Sequence, residues 1–139
     1  MSRSDEPALE LPAYARSLGI VLDRIENGLP VLAVDFGSMV EGRPQHFHGG
    51  ATSGLLEVAG YAGLREALKE QRREHRLKPI NITVQFLSAG KMKRTFAKAR
   101  ITRLGRRNAN LVVEAWQDDR SRLIASAVMN ILMASPDGD

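Results

Sequence analysis

The stretch GGATSGLLEVAGYAGL, residues 49–64, decides the fold of this chain. Its apolar residues recur at intervals of three and four, as on one face of an α-helix. Glycines also occur in the pattern, although each interior glycine costs a helix about 1 kcal/mol relative to alanine. We therefore expect a long helix from Gly49 to about Arg76, packed so closely that glycine is needed. The glycines are Gly49, Gly50, Gly54, Gly60 and Gly63.

Strands are predicted on both sides of this helix. Before it, residues 20–25 and 29–36 form a hairpin around Asn27-Gly28, a strong hairpin turn signal. After it, apolar and polar residues alternate over residues 80–86, which predicts a strand with one buried face. The remaining predicted elements are a short helix at 9–18 and strands at about 93–103, 109–117 and 122–133, joined by turns short enough for antiparallel pairing.

Two strands, one long helix and four strands predict an α+β domain, an antiparallel sheet covered by a single helix. A sheet of five or six strands curled tightly around a glycine-rich helix is the hot-dog arrangement. Such a sheet leaves an edge strand and a face that need a partner chain. We expect one domain over residues 1–139, a homodimer or a tetramer built as a dimer of dimers, and mobile ends at 1–8 and 135–139.

Composition excludes several classes of site and partner. The absence of cysteine rules out disulfides, thiolate metal sites and a cysteine nucleophile, and with three histidines a metal enzyme is not expected. The net charge of +4 comes from basic residues at 65–78 and 91–107, without the stacking aromatics of nucleic-acid sites. With neither a signal peptide nor an apolar run of ~20 residues, we expect a cytoplasmic protein without a membrane or nucleic-acid partner.

The candidate active site lies on the glycine-rich helix. Glu57 is the one carboxylate between residues 49 and 64, where no basic residue occurs, so we expect it to be desolvated. The alternative is a glutamate that reaches solvent or is bonded inside an interface. Gly49 and Gly50 begin the helix, where unpaired N–H groups and the positive end of the helix dipole can hold an oxyanion.

Residues 48–57, HGGATSGLLE, resemble the H-G-G-x(4)-L-x-[DE] signature of hot-dog thioesterases of the phenylacetate-pathway type. Three downstream segments are also similar to that family: ITVQFL at 82–87, GRR at 105–107 and SAVM at 126–129. The resemblance therefore covers residues 20–133.

The resemblance implies an acyl-CoA thioesterase that uses no cofactor beyond the CoA of its substrate. In that family the acid at the Glu57 position is the nucleophile or general base, and the N–H at the Gly49 position polarises the thioester carbonyl. The two groups come from different subunits. His48 would orient the site electrostatically or fix the loop before the helix.

The resemblance also places the substrate. It implies that the CoA phosphates lie near Arg106 and Arg107, although a basic strand face with Arg94, Lys98 and Arg100 could serve instead or could be ordinary solvated surface. The acyl group would contact side chains near the helix. The candidates are Phe47, Tyr61, Leu64, Phe86 and Met92.

Two positions depart from the family pattern. Gly42 stands where many members have asparagine or glutamine as a second polar contact to the thioester, and Gln45 could substitute for it. Tyr61 stands one turn after the acid, where the resemblance implies a threonine or serine that holds the water; the phenol of Tyr61 could serve instead or could simply pack. The Gly42 departure favours one alternative function, a non-catalytic module that binds acyl-CoA. A hot-dog dehydratase is a further alternative, but it needs a histidine and an acid at wider spacing than His48 and Glu57.

Overall fold

The computed structural model of this chain describes residues 9–137. Its elements in chain order are α1 (Ala13–Leu18), β1 (Val21–Glu26), β2 (Leu29–Val34), α2 (Gly49–Glu70), β3 (Arg76–Phe86), β4 (Thr95–Leu104), β5 (Asn108–Trp116) and β6 (Ala125–Ala134). Of the ends expected to be mobile, 1–8 and 135–139, residues 1–8 and 138–139 lie outside the described residues. Among residues 9–137, no helix is both long and apolar enough to cross a membrane.

All six strands form one antiparallel sheet in the order β1-β2-β4-β5-β6-β3. Helix α2 packs on the inner face of this sheet, mainly against β2, β4, β5 and β6. The core between the two layers consists of aliphatic side chains, among them Leu32, Leu55, Leu56, Leu111 and Ile131. The predicted α+β hot-dog fold, with a six-stranded sheet around one long helix, is confirmed.

The glycines of α2 lie where the helix touches its neighbours. A Cβ atom on Gly63 would stand 2.7 Å from the Cβ of Ala99 in β4, and one on Gly60 would stand 3.2 Å from a methyl of Val113 in β5. Both distances are shorter than ordinary packing allows. The prediction that these glycines permit close approach of the sheet is confirmed.

The hairpin β1–β2 turns at Asn27 and Gly28, which have φ angles of 52° and 79°. Positive φ at both central residues is the geometry that favours an Asn-Gly sequence, and it matches the twist of the flanking strands. The predicted hairpin is therefore confirmed, with each strand ending within two residues of the expected position.

Helix α2 is shorter than predicted and ends at Glu70 instead of near Arg76. Arg72 adopts a left-handed φ of 55°, and the N–H of Arg73 returns to the carbonyl of Leu68 at 2.9 Å, which closes the helix. The basic run from Arg72 to His75 is thus a turn into β3. That strand begins at Arg76, four residues earlier than expected, and α1 is shortened to begin after Pro12.

The prediction that β3 buries one face is wrong for a single chain. Ile80, Ile82 and Phe86 are 53%, 37% and 60% exposed. A register shift between Pro79 and Asn81 leaves Ile80 unpaired, and β3 is an edge strand that pairs only with β6 among the described strands. Helix α2 packs mainly on the other strands and covers little of β3. The alternation of apolar and polar residues in β3 therefore indicates an apolar surface that a single chain leaves exposed.

Candidate active site

His48 holds the start of α2 together. Its imidazole Nδ1 accepts a hydrogen bond from the N–H of Gly50 at 2.8 Å, and its carbonyl accepts from the N–H of Thr52 at 3.0 Å. Its own N–H donates to the carbonyl of Val40 at 2.7 Å. Because Nδ1 must carry a lone pair to accept, the imidazole caps the helix in its neutral form. Fixing the loop is thus a role that the geometry of His48 fulfils.

The two glycines that begin α2 are not equivalent. The N–H of Gly50 is paired with His48, so the expectation that both N–H groups are unpaired is wrong for Gly50. The N–H of Gly49 has no acceptor among residues 9–137, and Gly49 is exposed. A free N–H at the positive end of a 22-residue helix is a donor suited to a carbonyl oxygen that gains negative charge.

A cavity of about 280 Å³ opens at Gly49. The ring of Phe86 forms one wall, 3.6 Å from the position that a Cβ on Gly49 would take. Phe47, one of the candidates for the acyl pocket, lines this cavity together with Arg43 and His46, which the sequence did not single out. These two belong to an irregular loop, where no periodic pattern points to a common site.

Gln45 is not brought to this cavity. Its φ of 68° is left-handed, and its N–H donates to the carboxylate of Glu41 at 2.9 Å. Gly42 packs against the helix cap, because a Cβ there would lie 2.9 Å from the Cα of His48. An asparagine or glutamine side chain at position 42 has no room in this loop, so the departure from the family pattern is built into the backbone.

Glu57 is exposed on α2, on the face turned away from the sheet. No hydrogen bond or ion pair holds its carboxylate within the part of the chain that the structure describes. The expectation that Glu57 is desolvated is therefore wrong for a single chain. Eight residues separate it from Gly49, a rise of about 12 Å along the helix. The two groups cannot act on one carbonyl from the same chain.

An apolar cavity of about 290 Å³ lies beside Glu57, between α2 and the segment from Leu9 to Tyr14. Tyr61 lines it one turn after Glu57, and the guanidinium of Arg65 stands 5.5 Å from the centre of the Tyr61 ring. Burial raises the pKa of the Tyr61 phenol, and the negative charge of Glu57 raises it further. The phenol therefore remains a hydrogen-bond donor at neutral pH.

The other residues predicted to contact the acyl group divide between core and surface. Leu64 is fully buried in the core beneath α2, and Met92 is 55% exposed on the loop before β4. Neither lines the cavity beside Glu57 or the cavity at Gly49.

Arg106 and Arg107 lie at the opposite end of the chain's helix from Gly49. They form the turn between β4 and β5, and the carbonyl of Arg107 accepts from the N–H of Met133 near the end of β6. Both line an open cavity of about 800 Å³ together with Arg73 and Lys78. Within one chain the predicted site residues are therefore spread along α2. Gly49 lies at its start, Arg106 and Arg107 lie near its end, and Glu57 and Tyr61 lie between them.

The basic face of β4 is largely neutralised by neighbouring acids. Arg94 pairs with Asp35 at 3.0 Å and with Asp23 at 3.3 Å, and Lys98 pairs with Glu26 at 3.2 Å. Glu26 also accepts from Arg120 at 2.5 Å, which, with the hydrogen bonds from Lys98 and Arg24, holds the pKa of this carboxyl at about 2. Of the predicted cations on this face only Arg100 is without such a pair in the described residues, so the charges of Arg94 and Lys98 are already balanced by acids of the same chain.

Comparison with known proteins identifies a family. The family model described as "Thioesterase superfamily" matches residues 44–124, more than half of the chain. The sequence matches none of the curated proteins with which it was compared.

Several solved structures are similar to this one. A protein from Chromobacterium violaceum is 28% identical, with a TM-score of 0.70 over 88% of this chain and 84% of the other. A phenylacetic acid degradation-related protein from Ralstonia eutropha is 22% identical, with a TM-score of 0.74 over 94% and 95% of the two chains. A mutant of a thioesterase from Staphylococcus aureus is 18% identical, with a TM-score of 0.75 over 89% and 100%. The last two likenesses show a shared fold.

Proposed function

Because this chain belongs to the thioesterase superfamily, we propose that it hydrolyses acyl-CoA to a free acid and CoA, at sites that each combine Glu57 of one chain with Gly49 of another. Family membership supports hydrolysis of a thioester bond in general. The observation that carries the finer proposal is the free N–H of Gly49 beside the capped N–H of Gly50. The cap leaves one exposed donor aimed out of the helix start.

The exposed edge of β3 supports a site shared between two copies. In a two-fold antiparallel pair of β3 strands, the end of one strand lies beside the beginning of the other. Phe86, which stands next to Gly49, is the last residue of β3, whereas Leu77, which lines the Glu57 cavity, is its second residue. Such a pair would bring Gly49 of one copy toward Glu57 of its partner. It would also cover the exposed Ile80, Ile82 and Phe86.

The chemistry follows from these two groups. As a general base, Glu57 takes a proton from water, and the resulting hydroxide attacks the thioester carbonyl carbon. The carbonyl oxygen becomes an oxyanion that the Gly49 N–H of the other chain stabilises. When the carbon–sulfur bond breaks, the thiolate leaves and takes up the proton. As a nucleophile, Glu57 would instead attack the carbonyl carbon itself and expel the CoA thiolate, which leaves an anhydride between Glu57 and the acyl group. Water then hydrolyses this anhydride to the free acid and restores the carboxylate.

The CoA part of the substrate needs cations for its phosphates. Arg106 and Arg107 are exposed and line an 800 Å³ cavity without an acidic lining residue. We assign them to CoA on this ground, in preference to Arg94 and Lys98, which are paired with acids.

A second candidate function is a non-catalytic module that binds acyl-CoA, and the closed space at Gly42 favours it because one polar contact to the thioester is missing. Thiol release from a panel of acyl-CoAs, from acetyl to long-chain and aryl, separates the two. Hydrolysis of at least one member above the rate in buffer is expected. Binding of acyl-CoA without thiol release across the panel would overturn the enzyme and leave the module.

A further inference from the structure

A tyrosine hydroxyl occupies the space beside one glycine of α2. A Cβ atom on Gly54 would stand 3.0 Å from the ring carbon Cε2 of Tyr14 and closer still to its hydroxyl oxygen. Gly60 and Gly63 face the sheet, whereas Gly54 faces α1. An interior glycine weakens a helix relative to alanine. Glycine at position 54 therefore has a local reason, which is the close approach of the Tyr14 hydroxyl.

The position of Tyr14 is fixed by the segment that carries it. Ala15 and Ile20 are buried in the core, and the N–H of Ile20 donates to the carbonyl of Ala15 at 3.0 Å. On the other side of Tyr14, the guanidinium of Arg16 donates to the carbonyl of Leu11, just before α1, at 2.7 Å. The short helix is thus held at both ends, and the backbone of Tyr14 has a fixed place above α2.

The Tyr14 hydroxyl lies about one helical turn from Glu57. Gly54 and Glu57 are three residues apart, so they share a face of α2 with a rise of about 4.5 Å between them. Tyr14 and Glu57 line the same cavity of about 290 Å³, in which the other charged side chains are Glu10 and Arg65. Within the described part of the chain the Tyr14 hydroxyl forms no hydrogen bond. A phenol oxygen can both donate and accept one, so this hydroxyl is free to bind a ligand beside the proposed base.

We propose that Tyr14 is a further catalytic residue, whose hydroxyl oxygen holds the water that Glu57 deprotonates. The inference rests on the proposed thioesterase function. The water donates one hydrogen to the Glu57 carboxylate and the other to the Tyr14 oxygen, which leaves a lone pair directed at the thioester carbonyl carbon. Glu57 takes the first proton as the new carbon–oxygen bond forms, and the phenol keeps its own proton throughout.

Tyr61 is the competing hydroxyl, because it lines the same cavity one turn after Glu57. The helix itself gives Tyr61 its position, whereas Tyr14 comes from another element and occupies the room that Gly54 leaves. The ring of Tyr61 also has the guanidinium of Arg65 at 5.5 Å from its centre. The geometry therefore favours the Tyr14 hydroxyl as the group that holds the water.

Steady-state hydrolysis of the acyl-CoA panel by Tyr14→Phe tests the assignment. The phenylalanine ring still covers Gly54, so the melting temperature should not change. The kcat should fall about fivefold to tenfold for every acyl group, the scale of one lost hydrogen bond, while KM stays the same. Gly54→Ala displaces the phenol oxygen and should lower kcat to a similar degree, but it should add little in the Tyr14→Phe background. The matched variant is Tyr61→Phe, for which a smaller loss of kcat is expected.

A folded Tyr14→Phe protein with wild-type kcat would overturn the assignment. A loss of kcat in Tyr61→Phe alone would also overturn it and give the water to Tyr61. A rise in KM that differs between acyl groups, at unchanged kcat, would show that the hydroxyl contacts the substrate and not the water. These three outcomes leave the proposed reaction in place because the wild type hydrolyses its substrate in each. Absence of thiol release by the wild type would instead reject the reaction, and the role of Tyr14 with it.

Discussion

The imidazole Nδ1 of His48 accepts the N–H of Gly50 at 2.8 Å, and this bond divides the helix start into a capped donor and a free one. The free donor is the N–H of Gly49, whose neighbour in space is the ring of Phe86. The signature residues at 48–50 therefore have separate tasks. His48 and Gly50 form the cap, and Gly49 presents the donor.

Gly49→Pro should abolish the oxyanion donor without breaking the helix. Proline is favoured at the first helical position, and the φ of −68° and ψ of 135° at His48 suit a residue before proline. Turnover of the best acyl-CoA should fall by about 100-fold or more, the scale of losing one oxyanion donor. Gly49→Ala is the control, because it keeps the N–H and its Cβ meets Phe86 at an ordinary 3.6 Å. If Gly49→Pro and Gly49→Ala both fold and turn over acyl-CoA equally fast, the Gly49 N–H is not the oxyanion donor.

Replacement of the Glu57 carboxylate should separate catalysis from binding. Glu57 is exposed and unbonded in the described chain, so Glu57→Gln should keep the melting temperature and acyl-CoA affinity. Its turnover should fall by about 100-fold or more, as expected when a positioned base is lost. Glu57→Asp should retain more activity than Glu57→Gln because the charge survives. A folded Glu57→Gln protein with normal turnover would remove this carboxylate from the mechanism.

His48 offers a test of capping against chemistry. His48→Ala removes the cap and should destabilise the protein by about 1 kcal/mol, whereas His48→Asn supplies another good cap and should restore most of that loss. If the imidazole acts only as a cap, turnover should recover together with the melting temperature in His48→Asn. Recovery of stability without recovery of turnover would show that the ring itself takes part in the reaction.

The ion-pair cluster at Glu26 predicts how stability depends on acid. Since contacts with Arg120, Lys98 and Arg24 lower the pKa of Glu26 to about 2 in the folded chain, its stabilisation is present above the ordinary value of 4.5. It is lost as the pH falls from about 4.5 to about 2. The melting temperature of Glu26→Gln should therefore change less with pH over this range than the melting temperature of the wild type. The control is Glu70→Gln, a change at an exposed carboxylate. If the melting temperatures of wild type and Glu26→Gln fall equally as the pH drops from about 4.5 to about 2, the stabilising role of the Glu26 carboxylate is refuted.

Short-range patterns predicted most of the fold. The Asn27-Gly28 turn and the small residues at Gly60 and Gly63 each have a local backbone or packing reason, and each occurs where it was expected. The end of α2 was missed because Arg72 adopts a left-handed conformation without a glycine or proline to indicate it. Residues 69–76, KEQRREHR, are mostly good helix formers, so the sequence contains no signal that the helix ends at Glu70.

The errors at the site have a different cause. Alternation in β3 and the isolation of Glu57 both predict burial, yet a single chain leaves both exposed. The pair of chains proposed above would account for both differences, because it would cover β3 and the surroundings of Glu57. The placement of Arg43 and His46 at the Gly49 cavity, with Gln45 outside it, depends on an irregular loop in which Gly42 packs against His48, and periodicity does not encode such a loop.

Mixing of two inactive variants tests the shared site most directly. Gly49→Pro and Glu57→Gln chains, co-expressed in equal amounts, form mixed dimers in which one site combines an intact Gly49 with an intact Glu57. If half of the dimers are mixed and each has one working site of two, activity should return to about a quarter of the wild-type value. Either variant alone should remain at its low level. Activity of the co-expressed mixture no higher than that of the separate variants, with mixed dimers shown to be present, would contradict a site built from two chains.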